Sequence, residues 1–125
     1  MTIIAGYAAI LGFVFVALSL RVIRLRRSGQ VALGSGGQPL LRKAIRAHAN
    51  FAEYVPMALL LIALAESQGV WPSVIHGLAL SLLAGRLLHA YGVSQLQENF
   101  RYRVSGMVLT FTAIGSASLL LLLKS

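Results

Sequence analysis

The chain has no cysteine and no aspartate, and its only acids are Glu53, Glu66 and Glu98. Without cysteine there are no disulfides, no thiolate metal sites and no cysteine nucleophile, so any reactive thiol must arrive on a substrate. Charge of either sign is scarce: 11% of the 125 residues are charged, against about 25% in soluble proteins. What fills the space is apolar, at 58% of residues. This balance points to a membrane protein of one domain, residues 1–125. Eleven basic residues give a net charge of +8. Basic cytoplasmic loops of a membrane protein produce the same total. No extended surface of interleaved aromatic and basic residues suggests RNA or DNA binding, so no nucleic-acid partner is expected.

Charges divide the chain. Residues 1–20, 67–85 and 104–123 carry none, and the stretch from Ala47 to Ala65 carries only Glu53. Each approaches or reaches the ~20 residues that cross a bilayer. The pattern predicts an all-α membrane protein, a bundle of four transmembrane helices at 2–25, 39–66, 72–92 and 99–123. The first is read as a retained span, not a signal peptide, because it lacks a basic leading region and its apolar run is too long. Gly34-Ser35-Gly36-Gly37-Gln38-Pro39 reads as a flexible turn with Pro39 starting the second helix. Gln68-Gly69-Val70-Trp71-Pro72 reads as a short hairpin, with Gly69 ending one helix, Pro72 starting the next and Trp71 in the interfacial belt. The third connection, from Val93 to Asn99, is polar.

Seven basic residues lie from Arg21 to Arg46 and three more from Arg86 to Arg103, while Lys124 stands alone at the other end. The positive-inside rule then predicts cytoplasmic basic loops and both termini on the far side, periplasmic if the membrane is a bacterial inner membrane.

The segment Arg46-Ala47-His48-Ala49-Asn50-Phe51-Ala52-Glu53-Tyr54-Val55-Pro56 stands out within this frame. Arg46, Asn50 and Glu53 are spaced i, i+4, i+7 and share one helix face. Ionisable groups within a span are expensive and mark functional sites. Arg24, Arg26 and Arg27 end the first helix, Arg86 and His89 lie i, i+3 near the end of the third, and Arg101 and Arg103 open the fourth. Many cations around one acid suit a small ligand with several anionic groups and one ammonium, such as a zwitterionic peptide. Flanking arginines also serve as lipid anchors, which is the reading for Arg21, Arg24, Arg27, Arg42 and Lys43. His48, His76 and His89 have no ligand spacing for a metal, and none is expected. Pro56 removes a helical donor opposite the Ala52 carbonyl, one turn from Glu53. Small residues on the third and fourth helices, including Gly85 and Gly106, allow close helix approach.

The same segment resembles the signature R-x-x-x-N-x-x-E-x-x-P of the membrane-associated proteins in eicosanoid and glutathione metabolism, the MAPEG family. Leu83-Ala84-Gly85-Arg86-Leu87-Leu88-His89-Ala90-Tyr91-Gly92 is similar to the family's arginine-bearing end of helix three. The chain is most similar to the small bacterial inner-membrane members. The resemblance implies a homotrimer binding glutathione between protomers near the cytoplasmic face, and a transferase or peroxidase acting on lipophilic electrophiles or hydroperoxides. It implies catalytic roles for Arg46 and for Arg101 or Arg103. Arg26, His48, Asn50, Glu53, Tyr54, Arg86 and His89 fall on its glutathione-site positions. His89 and Val93 depart from the family pattern, where better-studied members carry tyrosines. The thiol-activating arginine of helix four also has no unambiguous counterpart.

A thiol with a pKa of about 8.5 is unreactive until ionised, and a guanidinium beside it favours the thiolate. Arg46, with Arg101 or Arg103, would provide that field, while the apolar substrate enters from the lipid. Two alternatives are a small four-helix transporter using Glu53 and a non-enzymatic membrane protein.

Overall fold

The computed structural model describes residues 2–97 and 99–124; Glu98, within the third connection, lies outside the described residues, as do both terminal residues. Four helices follow in order: α1 Thr2–Gly29, α2 Pro39–Ser67, α3 Pro72–Ser94 and α4 Phe100–Lys124. All four are long and apolar enough to cross a membrane. The chain is thus an all-α four-helix membrane bundle.

The helix ends follow local chemistry. Pro39 and Pro72 occupy the first turns of α2 and α3, where a missing N–H costs nothing. At the end of α2, Gly69 takes φ +81°. Its N–H then reaches the Glu66 carbonyl and that of Val70 reaches Ala65, the Schellman arrangement. The α1 terminus lies four residues beyond the expected 25. The last turn is held by the same arrangement: Gln30 adopts φ 55°, and Val31 N donates to Arg26 O at 2.9 Å. Arg26 and Arg27 complement the carbonyl end of this turn, and Arg26 Nη1 also donates to Gly34 O at 2.6 Å. Asn99 starts α4 as a side-chain cap, its Oδ1 accepting from Arg101 N at 3.0 Å.

Helices α2 and α3 form the centre. Each packs on the other and on both α1 and α4, whereas α1 and α4 do not meet. The α3–α4 contact is the closest. A Cβ added to Gly106 would lie 2.5 Å from the Gly85 carbonyl oxygen and 2.6 Å from His89 N. Only glycine permits that approach. The outer surface is apolar, with Phe13 and Leu122 more than 70% exposed, as expected of helices facing hydrocarbon.

At the end remote from the arginines, a second set of polar contacts ties the helices. Glu66 accepts from Ile3 N and Ile4 N at the start of α1. The Tyr7 hydroxyl and His76 Nδ1 lie 2.8 Å apart. Lys124 Nζ donates to Gln68 O at 3.0 Å.

Candidate functional site

The motif on α2 opens into two directions. Its buried side carries Ala47, Phe51 and Val55 against the core, at the 3–4 residue spacing of a packed helical stripe. Its other side carries Arg46 and Glu53, each 54% exposed, with Arg46 Nη2 3.8 Å from Glu53 Oε1. Asn50 stands half-buried between these two faces.

Asn50 turns towards α3. Its Oδ1 accepts a short hydrogen bond from Arg86 Nη2. Arg86 is only 1% exposed, so a guanidinium is enclosed within the bundle. Its other neighbours are a hydroxyl, a thioether, an imidazole and an aromatic ring. Nη1 donates to Thr110 Oγ1 at 3.3 Å and faces Met107 Sδ at 3.8 Å. Nη2 lies 3.4 Å from His89 Nδ1, and the guanidinium sits 5.9 Å from the Phe51 ring centroid. Nε has no partner. A buried cation held by an amide, a hydroxyl and an imidazole is costly, and such a group inside a span points to function. Thr110 is itself fixed by donating to Gly106 O at 2.8 Å, so the glycine contact of α3 and α4 also positions this group.

Towards the basic end of the bundle, a pocket of about 250 Å³ is lined by Pro39, Arg42, Lys43, Arg46, Val93 and Arg103. It joins the first turns of α2 to the α3–α4 junction. Four of its six lining residues are cationic, and the Arg46–Glu53 pair stands beside it. An anion with more than one acidic group fits this lining.

The expected site residues therefore separate into groups. Arg46 and Arg103 line the pocket, and Glu53 meets Arg46. Arg86 and His89 are buried one turn deeper, with half-buried Asn50 against Arg86. Tyr54 is half-buried, its ring edge-on to Phe111 at 5.5 Å between centroids. Arg101 is exposed on the first turn of α4. His48 faces α1, where Nε2 is 3.0 Å from Ser19 Oγ and the ring stacks on Phe15 at 4.9 Å. Arg26 lies beside a separate shallow depression with Arg27 and Gln30.

Sequence reasoning did not single out Thr110, Met107 or Ser19, which are uncharged and carry no motif. Arg42 and Lys43 were read as lipid anchors, yet they line the pocket. Their position one turn before Arg46 on α2 was the available signal.

The MAPEG family profile matches residues 4–123. The inner membrane protein YecN of Escherichia coli K12 is 40% identical over 110 residues, which cover 88% of this chain and 82% of that protein. The protein of the same name from Escherichia coli O6:H1 matches equally.

Proposed function

The chain belongs to the MAPEG family, and from that membership we propose that it is an inner-membrane protein that binds glutathione and directs its thiol at a lipophilic electrophile or hydroperoxide. The observation that carries this reading is the pocket whose lining includes Arg42, Lys43, Arg46 and Arg103. Glutathione carries two carboxylates and one ammonium. The pocket's cations suit the carboxylates, and Glu53, already beside Arg46, suits the ammonium. A guanidinium next to a thiol favours the thiolate by charge alone, with no proton acceptor needed. Arg46 and Arg103, which both line the pocket, would provide that field. Arg101 would contribute only through a ligand lying over the start of α4.

The exposed pair Arg46–Glu53 supports a site closed by a second copy of the chain, in line with the homotrimer that the resemblance implies. His48 and Arg26 would then serve through surfaces that one protomer leaves apart from its own pocket. In this reading the basic loops lie on the cytoplasmic side and both termini on the periplasmic side by the positive-inside rule, and the lipid delivers the apolar reactant.

The test is glutathione binding by calorimetry on detergent-purified protein, with turnover of a generic aryl halide and a lipid hydroperoxide. Saturable binding that Arg46→Leu abolishes, with glutathione-dependent turnover of either reactant, supports the reading. A wild-type protein that binds no glutathione overturns it.

A further inference from the structure

We infer that Arg86 is a positioning residue which never touches the ligand, and that by holding the Asn50 oxygen it leaves Asn50 to face the ligand with N–H donors only. The inference rests on the glutathione reading above and says what kind of ligand group Asn50 takes.

A guanidinium has donors and no acceptor. The amide of Asn50 can therefore meet Arg86 only through Oδ1, which is the contact observed. This settles the side-chain amide orientation on chemical grounds. Arg86 is enclosed, 1% exposed, behind Asn50, Phe51, His89 and Thr110. A ligand outside the bundle has no route to it. Asn50 is half-buried, and among the described residues Nδ2 has no protein acceptor. Its two N–H groups are what the residue has left to offer. They match a carboxylate or a peptide carbonyl and reject an ammonium. The division of labour along α2 then follows: Glu53 takes the cationic group of the ligand, and Asn50 takes an acceptor one turn away.

The buried charge makes this arrangement directional. Flipping the amide would set its NH2 against a guanidinium that also has only donors, which is unfavourable for both groups. Thr110 and His89 cannot replace the lost oxygen, because each already holds its own place in the cluster.

The experiment uses the full chain in detergent with Asn50→Asp, Arg86→Met and the double variant. Aspartate supplies two acceptors and no donor. In the absence of ligand, Asn50→Asp should melt at or above the wild-type temperature, since Arg86 gains a counter-ion. Its glutathione affinity should fall at least ~10-fold, as expected when a donor to a charged group is lost. Arg86→Met should also weaken binding, and the double variant should bind no worse than Asn50→Asp, since both act through one group. An Asn50→Asp protein that melts about 5 °C or more below wild type overturns the Arg86 contact, on the scale set for one lost interaction. One that binds glutathione equally or more tightly overturns the donor orientation, because a carboxylate there would welcome an ammonium. Additive losses in the double variant overturn the claim that Arg86 acts through Asn50. Wild-type protein that fails to bind glutathione refutes the proposed function and the ligand half of the inference; the melting comparison then still decides the Arg86 contact by itself.

Discussion

The carboxylate of Glu66, at the end of α2, accepts the backbone N–H of Ile3, at the start of α1, at 2.8 Å across 63 residues of sequence. Its second oxygen accepts from Ile4 at 3.1 Å. The first turn of a helix has N–H groups with no intrahelical partner. Here a side chain from another helix satisfies two of them, and its negative charge faces the positive end of α1. Glu66→Ala should cost about 1–2 kcal/mol, the range for a lost helix cap. Glu66→Gln should cost less, because the amide oxygen can still accept. Thermal melts in detergent read both, and equal melting of Glu66→Ala and wild type would count against the cap.

Gly106 and Gly115 lie on the same helix with opposite surroundings. A methyl group at Gly106 would meet the Gly85 carbonyl and the His89 backbone, while one at Gly115 meets nothing within 4 Å. Gly106→Ala should destabilise by about 1–3 kcal/mol through forced separation of α3 and α4. Gly115→Ala should be neutral or raise stability by up to ~1 kcal/mol through helix propensity. Because Thr110 and Arg86 stand against the same contact, Gly106→Ala should also weaken glutathione binding, and Gly115→Ala should not.

The Arg46–Glu53 pair separates binding from stability. Each side chain is 54% exposed and the charges are 3.8 Å apart, so the pair should be worth no more than about 1 kcal/mol to folding. Glu53→Gln should therefore melt near wild type. Its glutathione affinity should fall at least ~10-fold if Glu53 holds the ammonium, the scale of a charge-assisted hydrogen bond. The reversed pair Arg46→Glu with Glu53→Arg should retain the fold and fail to bind. A Glu53→Gln variant with wild-type affinity would remove this residue from the site.

Orientation can be read directly, because the native chain has no cysteine. In intact cells Ser35→Cys, in the first loop, should resist a membrane-impermeant maleimide and react after permeabilisation. Gln68→Cys, in the exposed turn between α2 and α3, should react from outside. The reverse pattern would invert the proposed topology.

Much of the fold was legible in the chain itself. Stretches without charge marked the spans, and Pro39 and Pro72 marked two helix starts. The α1 terminus was less legible, because its left-handed residue is Gln30 and not the adjacent Gly29. The spacing of Arg46 and Glu53 put both on one helix face, and the structure pairs them there. Nothing in it foretold that His48, two residues from both Arg46 and Asn50, would reach Ser19 on α1.

Sequence alone determined how many helices there are, where α2 and α3 start and that Arg46 and Glu53 share a face, since these depend on hydropathy, local caps and the 3.6-residue repeat. Tertiary structure decided which helix each face meets. Helices that are apolar on every side carry little information about their own rotation in a bilayer. That rotation is set where glycines let α3 and α4 close on each other. It is set equally where a buried Arg86 finds Asn50, 36 residues away, as its acceptor.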